Sequence, residues 1–533
     1  MNTQKLILVI GSGLLFSSCR PKDERPNILL ILADDMGYSD IGCYGSEIST
    51  PNLDSLAYNG MRMTQFYNAS RSCPSRASLL TGLYQHQAGI GDMVKNLGHP
   101  AYQGYLNDSC VTIAEVLKNA GYNTYMCGKW HVGDTVTVRP MARGFKRFFG
   151  LVDGASSYFD LKKYRQSHTR DMMMLIDDEA YNPPQEGFYM TDAFTDYALQ
   201  FLDEQKNSRK PFFFYLAYTA PHWPLHALPE DINKYKGRYM IGWDSLRVER
   251  YKRMLSLGVI DSLCALSPRD EKVPAWNSLD IDQQIDNDLR MAVYAAMIDR
   301  MDQNIGRIIR KLKEQKKFDN TLIIFISDNG GCHENISQQD IIKREGKVGT
   351  RNSFDSYNRG WANVSNTPFR MFKHWVHEGG ISTPCIISYP GVCPKGSICT
   401  VPLHIIDLMP TFVELAQANY PSIYRNTPIH PMEGISMMPF IRGKNSYGED
   451  HPAQIWEHEG NKALRKGLWK VVSKFDYDKN QSGPWELYNM YNDRAEQHDL
   501  SHVHANICEL LVSWYEKWEK HVHTVPYEQL HKK

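Results

Sequence analysis

Apolar residues run unbroken through 27–33 (NILLILA), and polar residues close the run at both ends. A short run without alternation predicts a strand buried on both faces at the centre of a parallel sheet. Residues 320–327 (NTLIIFIS) and 211–218 (PFFFYLAY) repeat the pattern, and 383–388 offers a fourth run. Between them the period changes. Over 291–312, Tyr294, Met297, Ile298, Met301, Ile305, Ile308 and Leu312 share one face, with Arg and Asp opposite, as in an amphipathic helix. Buried strands alternating with such helices predict an α/β fold: a large, mostly parallel sheet flanked by helices.

After about residue 445 the texture shifts. Residues 462–472 and 485–488 read as short, half-exposed strands, and Ile507, Leu510, Leu511, Trp514 and Trp518 recur at helical spacing. That aromatic stripe is read as packing rather than a ligand platform. The expected organisation is a main domain over 25–444 and a smaller antiparallel sheet plus helix over 445–533, which suits a chain of 533 residues. Residues 1–18 carry one Lys and an apolar run from Leu6 to Phe16, too short to span a bilayer, and read as a signal peptide.

Lys and Arg together number 60, as do Asp and Glu, so no global field draws the chain to nucleic acid. An anionic ligand would need a local group of cations. Beyond Cys19, the cysteines show neither a CxxC pair nor zinc spacing. Cys393 and Cys399 are close enough in sequence for a local disulfide; the others read as buried thiols.

Two of the predicted strands end in carboxylates: Asp34-Asp35 after the first, Asp328-Asn329-Gly330-Gly331 after 320–327. Ligands of open α/β sheets bind outside the carboxyl ends of the strands, so these groups can converge. Three carboxylates and an amide oxygen make a hard set suited to Ca²⁺ or Mg²⁺ rather than Zn²⁺. A single Asp after a strand is ordinarily a cap or turn; two such sites are harder to dismiss. Ser72-Cys73-Pro74-Ser75-Arg76 then leads into a predicted helix. Its start would present backbone N–H groups to an anion, and Arg76 a fixed fork of donors. By itself Ser-x-Pro is also an ordinary helix cap.

The Ser72–Arg76 stretch, continued by Ala77-Ser78-Leu79-Leu80-Thr81-Gly82, resembles the signature of the type I sulfatases, of the alkaline-phosphatase-like superfamily. In that signature Pro stands two positions after the modified residue and Arg four, which Pro74 and Arg76 satisfy for Ser72 and not for Cys73. The resemblance implies that Ser72 is oxidised to formylglycine, whose hydrate attacks sulfur and then expels sulfate by collapsing to the aldehyde. A serine precursor implies an oxygen-independent radical maturase and an anaerobic bacterial host. Gly128-Lys129-Trp130-His131 resembles a family segment in which Lys129 would bind sulfate and His131 would take a proton from the diol. Ala220-Pro221-His222-Trp223-Pro224 resembles the segment carrying the general acid, His222. Its neighbour His226 reads as a surface or subsite histidine. Lys373, five positions before Glu378-Gly379-Gly380, matches a second sulfate-binding lysine. The metal ligands implied are Asp34, Asp35, Asp328 and Asn329 with Ser72, holding one Ca²⁺ in preference to Mg²⁺.

The resemblance extends past these motifs. The strands with Arg465-Lys466-Gly467-Leu468-Trp469-Lys470 and Trp485-Glu486-Leu487-Tyr488 resemble the family's small C-terminal subdomain, and segments 242–247 and 361–368 resemble its arylsulfatase-like branch. It implies hydrolysis of O-sulfate on a carbohydrate, sulfated galactose included, with loops 150–180, 225–285 and 335–365 lining the sugar subsites. The alternatives are a phosphodiester or phosphonate monoester hydrolase of the same superfamily and a non-catalytic glycan-binding lipoprotein. Phe16-Ser17-Ser18-Cys19 resembles a lipobox, which implies a lipid on Cys19 and an outer-membrane lipoprotein. Lys22-Asp23-Glu24 resembles a surface-export signal.

Overall fold

The computed structural model of the chain describes residues 24–446 and 452–530. The signal-peptide segment and Cys19 lie outside the described residues. The strands of the main sheet used below are β1 (Asn27–Ala33), β2 (Met61–Tyr67), β3 (Asn123–Gly128), β4 (Arg147–Leu151), β5 (Phe212–Ala217), β6 (Thr321–Ser327) and β7 (Ser382–Ser388). The helices are α1 (Ser72–Thr81), α2 (Ile113–Asn119), α3 (Met190–Glu204), α4 (Ile281–Glu314) and α5 (Ala505–Val522). Strands β8 (Gln454–His458), β9 (Asn461–Lys466), β10 (Trp469–Asp476) and β11 (Gln481–Asn489) form a separate four-stranded antiparallel sheet.

The main sheet runs β2-β7-β6-β1-β5-β3-β4, with short edge segments beyond β2 and β4. Its centre is parallel, since β6, β1, β5, β3 and β4 all run the same way. The fourth apolar run departs from that pattern: β7 pairs antiparallel with both β6 and β2. Buried on both faces like its neighbours, it carries no signal of direction in its composition. Side chains of β1 alternate between two cores: Leu29, Ile31 and Ala33 on one face, Ile28, Leu30 and Leu32 on the other. Helix α4 covers the first face, starting from a capping box between Asp280 and Gln283, and its predicted apolar stripe is buried throughout.

Helix α5 packs Leu511, Tyr515, Trp518 and Val522 onto Ile455, Leu464, Val471 and Leu487 of the second sheet. The stripe is therefore packing, although its register differs from the expected one and Leu510 is exposed. Cys393 and Cys399 are both free thiols, as are the other described cysteines, so no local disulfide joins them. No helix among the described residues is long and apolar enough to cross a membrane.

Candidate active site

Six chain segments meet near the carboxyl ends of the central strands. Asp34 directly follows β1, and Asp35 turns the chain in the left-handed region (φ 66°). Beyond β6 come Asp328 and Asn329, tied to the first pair because the Asp35 N–H donates to Asp328 Oδ1 at 3.1 Å. Helix α1 begins at Ser72, with the Ser75 hydroxyl accepting from the Ala69 N–H at 2.9 Å, which fixes the loop entering the helix. Gly82, at φ 70°, ends it. Past β3, the Lys129 N–H donates to the Ala217 carbonyl at 2.8 Å, which swings the lysine toward Asp34.

Ser72 Oγ lies 3.2 Å from both Asp34 Oδ1 and Asn329 Oδ1, and all three residues are buried. Lys129 Nζ donates to Asp34 Oδ2 at 2.6 Å, and Lys373 Nζ stands 2.7 Å from Asp35 Oδ1. His222 Nε2 is 3.4 Å from Asp35 Oδ2, while its Nδ1 is 2.6 Å from the Trp223 carbonyl. Asn329 Nδ2 donates to Asp35 Oδ1 at 2.7 Å, so its amide oxygen is the atom turned toward Ser72. The predicted residues converge.

Arg76 sits differently from the expectation. It is wholly buried, and its guanidinium donates to Asp328 Oδ2 at 2.9 Å and to the Lys129 carbonyl at 2.9 Å. Its fork is spent on the carboxylates beneath the site and does not line the cavity above it. His226 is also a correction. It is completely buried, its ring nitrogens facing the Tyr158 N–H and the Ser353 carbonyl, and it is neither a surface nor a subsite residue.

Charge and burial set the protonation of the cluster. Burial raises the Asp34 and Asp35 carboxyls, but Lys129 and His222 respectively, with the other nearby cations, bring both below the usual range. Asp328 is pushed up by burial and by the Asp34 charge. Burial outweighs Asp34 and lowers Lys129, whereas for Lys373 burial is opposed by Asp35, Cys332 and Glu334, which together hold the ammonium well above its ordinary value. Burial and the neighbouring Lys129 push His131 far below the imidazole range, and its buried Nδ1 makes no hydrogen bond.

A cavity of about 280 Å³ opens over these groups. Ser72, His131, His222 and Lys373 reach it, joined by Arg71, Glu334 and Trp223, which sequence reasoning did not single out. Arg71 pairs with Glu334 at 2.9 Å, and Trp223 Nε1 donates to the same carboxylate at 3.0 Å. No motif spacing marks Glu334; only the fold brings it here. Loop 150–180 contributes Tyr164, Arg165 and His168 to the cavity lining and loop 335–365 contributes Gln339. Loop 225–285 contributes none of the lining; much of it folds into a helix over Gly242–Ser256.

The donor set fits a hard divalent cation. Oxygens of Asp34 and Asn329 face the Ser72 hydroxyl, Asp35 and Asp328 adjoin them, and no sulfur ligand is present in the group.

Residues 26–418 match the family model for sulfatases, and residues 369–519 match that for the C-terminal region of N-sulphoglucosamine sulphohydrolase. The chain is 34% identical to an uncharacterized sulfatase of Schizosaccharomyces pombe, over 93% of this chain and 94% of that protein. It is 36% identical to the arylsulfatase of Klebsiella aerogenes, over 82% and 96% respectively. Among solved structures, Ps i-CgsB in complex with k-i-k-neocarrahexaose shares 29% identity with a TM-score of 0.68, covering 93% of this chain and 92% of its own. The fold, the converging acidic site and these likenesses agree: the chain belongs to the sulfatase family of sulfuric ester hydrolases.

Proposed function

We propose that this enzyme removes O-sulfate from a carbohydrate, using Ser72 matured to formylglycine and one Ca²⁺ held by Asp34, Asp35, Asp328 and Asn329. The observation that carries the reading is Ser72 Oγ held 3.2 Å from both Asp34 Oδ1 and Asn329 Oδ1, at a cavity shared with His131, His222 and Lys373. The ion would supply Lewis-acid polarisation of sulfate oxygens, and formylglycine a hydrated aldehyde as nucleophile. Lys373 and Lys129 stabilise negative charge on the sulfate group, and Arg76 holds Asp328 in place from below. His131, neutral and with its Nδ1 unengaged, accepts a proton as sulfate departs. His222 donates a proton to the leaving alcohol oxygen, and the arriving anion favours its imidazolium form. A sugar as leaving group is supported by the neocarrahexaose complex of the 29% identical relative and by the polar, aromatic lining.

The same reading assigns the chemistry to residues 25–444 and a bracing role to 445–533. It also includes export after cleavage of 1–18, a lipid on Cys19 anchoring the protein in the outer membrane, and a radical maturase acting on Ser72. The decisive experiment is mass spectrometry of the Ser72 peptide from the native host, with sulfate release by Ser72→Ala measured alongside. The expected results are an aldehyde at residue 72 and abolished turnover in a folded variant. Unmodified serine in fully active protein overturns the formylglycine reading.

A further inference from the structure

Three potential ligands also converge where the second sheet meets the segment carrying Lys373. His458 ends β8, Glu459 follows in the left-handed region (φ 47°), and His374 directly follows Lys373. A ring nitrogen from each histidine and a Glu459 carboxylate oxygen lie within 4.8 Å of one another. His374 Nδ1 is 3.1 Å from Glu459 Oε2, and His458 Nε2 is 3.5 Å from Oε1. With metal–ligand bonds of about 2.0–2.1 Å, neighbouring ligands of a tetrahedral zinc ion stand roughly 3.3 Å apart. Each histidine stands near that spacing from one of the two Glu459 oxygens, and the three ligand atoms together lie within the 4.8 Å already given, a set that a small closure would bring onto one ion.

Hydrogen bonding points the same way. His458 is wholly buried, and apart from the Glu459 carboxylate 3.5 Å from Nε2 its ring nitrogens find no polar partner, so neither makes a well-formed hydrogen bond. Tyr477 OH accepts from Asn461 Nδ2 at 2.8 Å and donates to the Glu459 carbonyl at 2.9 Å. Its one proton is then spent, so His374 Nε2, 2.6 Å away, is the donor of that contact. His374 therefore turns the Nδ1 lone pair toward Glu459. A metal-bound histidine commonly donates its other ring N–H to a fixed oxygen in this manner. Among the described residues, the ion-pair partners of the Glu459 carboxylate are these two imidazoles alone.

We infer that His374, His458 and Glu459 form a second metal site, separate from the oxygen cluster and selective for a divalent transition metal such as Zn²⁺. Two imidazoles and one carboxylate suit Zn²⁺ and not Ca²⁺. The site joins the turn after β8 to the residue beside Lys373. The His374 N–H also donates to the Ser70 carbonyl at 2.8 Å, two residues before Ser72. Metal there fastens the C-terminal sheet to the floor of the active site, whatever the identity of the sulfate ester.

The test uses the full chain, stripped with a chelator, resupplied with excess Ca²⁺ to fill the oxygen cluster, and dialysed against Zn²⁺ with that Ca²⁺ kept in the buffer, then against Ca²⁺ alone to remove loosely held zinc. Bound zinc is counted by elemental analysis in wild type, His458→Gln and His374→Gln. Wild type is expected to retain one equivalent more than either variant and to gain thermal stability with Zn²⁺, as binding to the folded state requires. Cobalt supplied in place of zinc to wild type provides a readout independent of any variant's folding, with the intense visible absorption of a four-coordinate ion expected. Equal zinc in wild type and folded variants, or no such cobalt spectrum, overturns the site and leaves a hydrogen-bonded His–Glu–His cluster.

Discussion

His222 and Lys373 both reach Asp35, from different loops, yet the proposed chemistry asks different things of them. A proton donor matters most when the leaving group is poor. His222→Ala is therefore expected to lose far more activity on a sulfated sugar than on nitrophenyl sulfate, whose phenol leaves with little help. Lys373→Ala removes charge stabilisation of the sulfate itself and should depress both substrates about equally. Kinetics of both variants on both substrates check this, and equal losses for His222→Ala would reassign it to sulfate binding. Away from the site, the titration of Asp407 bears on stability. Burial pushes its carboxyl up to about 7, against hydrogen bonds from the His404 and Ile435 N–H groups. A carboxyl raised on folding binds its proton more tightly in the native state. Its contribution is full below the unfolded value of about 4 and is lost as pH rises through about 7. Melting temperatures across that window should fall less steeply for Asp407→Asn than for wild type.

The junction of β3 with its neighbours shows why an element's end can matter more than its middle. Gly128 closes β3 at φ 117°, paired with Ala217 of β5, and a Cβ there would lie 1.8 Å from the Ala217 carbonyl oxygen. That same carbonyl receives the Lys129 N–H. Gly128→Ala combines a backbone strain of about 1–3 kcal/mol with a direct clash, so the strand end must shift. A lower denaturation midpoint, together with loss of sulfatase activity through misplaced Lys129, is expected from unfolding curves and assays of the soluble fraction. Helix α2 offers a milder case. Thr112 accepts from the Glu115 N–H at 3.1 Å in a capping box, and Thr112→Ala should cost about 1 kcal/mol in denaturant unfolding with activity retained.

Across the whole molecule, the second sheet is bound to the catalytic body by buried charge. Lys470 of β10 is fully buried, 3.0 Å from Glu378 and 2.7 Å from Glu496. Burial raises the Glu378 carboxyl, but Lys470 first and then Arg494 hold it down to about 2. Glu378 also accepts from the Tyr67 hydroxyl at 3.0 Å and begins the turn that follows Lys373. Trp456 Nε1 reaches across to the Asn68 carbonyl at 2.8 Å, close to the start of α1. Lys470→Met removes the buried cation shared by Glu378 and Glu496, leaving Glu378 to Arg494, and is expected to cost about 3–5 kcal/mol, read as a fall in the unfolding midpoint. Such a loss would show that the small sheet braces the site rather than merely flanking it.

The central strands, the carboxylates that end them and the Ser72 helix start were legible in the chain because each rests on local pattern: continuous burial, Pro and Gly placement, and fixed motif register. The same holds for α4 and for the antiparallel texture of the C-terminal sheet. What local pattern lacks is direction and distance. A strand buried on both faces reads alike whichever way it runs, so only pairing decided that β7 opposes β6. Arg76, His226 and Glu334 are identical in kind to residues at other positions; the fold sends the first beneath the carboxylates, buries the second and brings the third to the cavity. The meeting of His374 with His458 and Glu459, more than 80 positions apart, is likewise decided by packing of one sheet against another, because no short-range rule couples residues that approach only after the chain has closed.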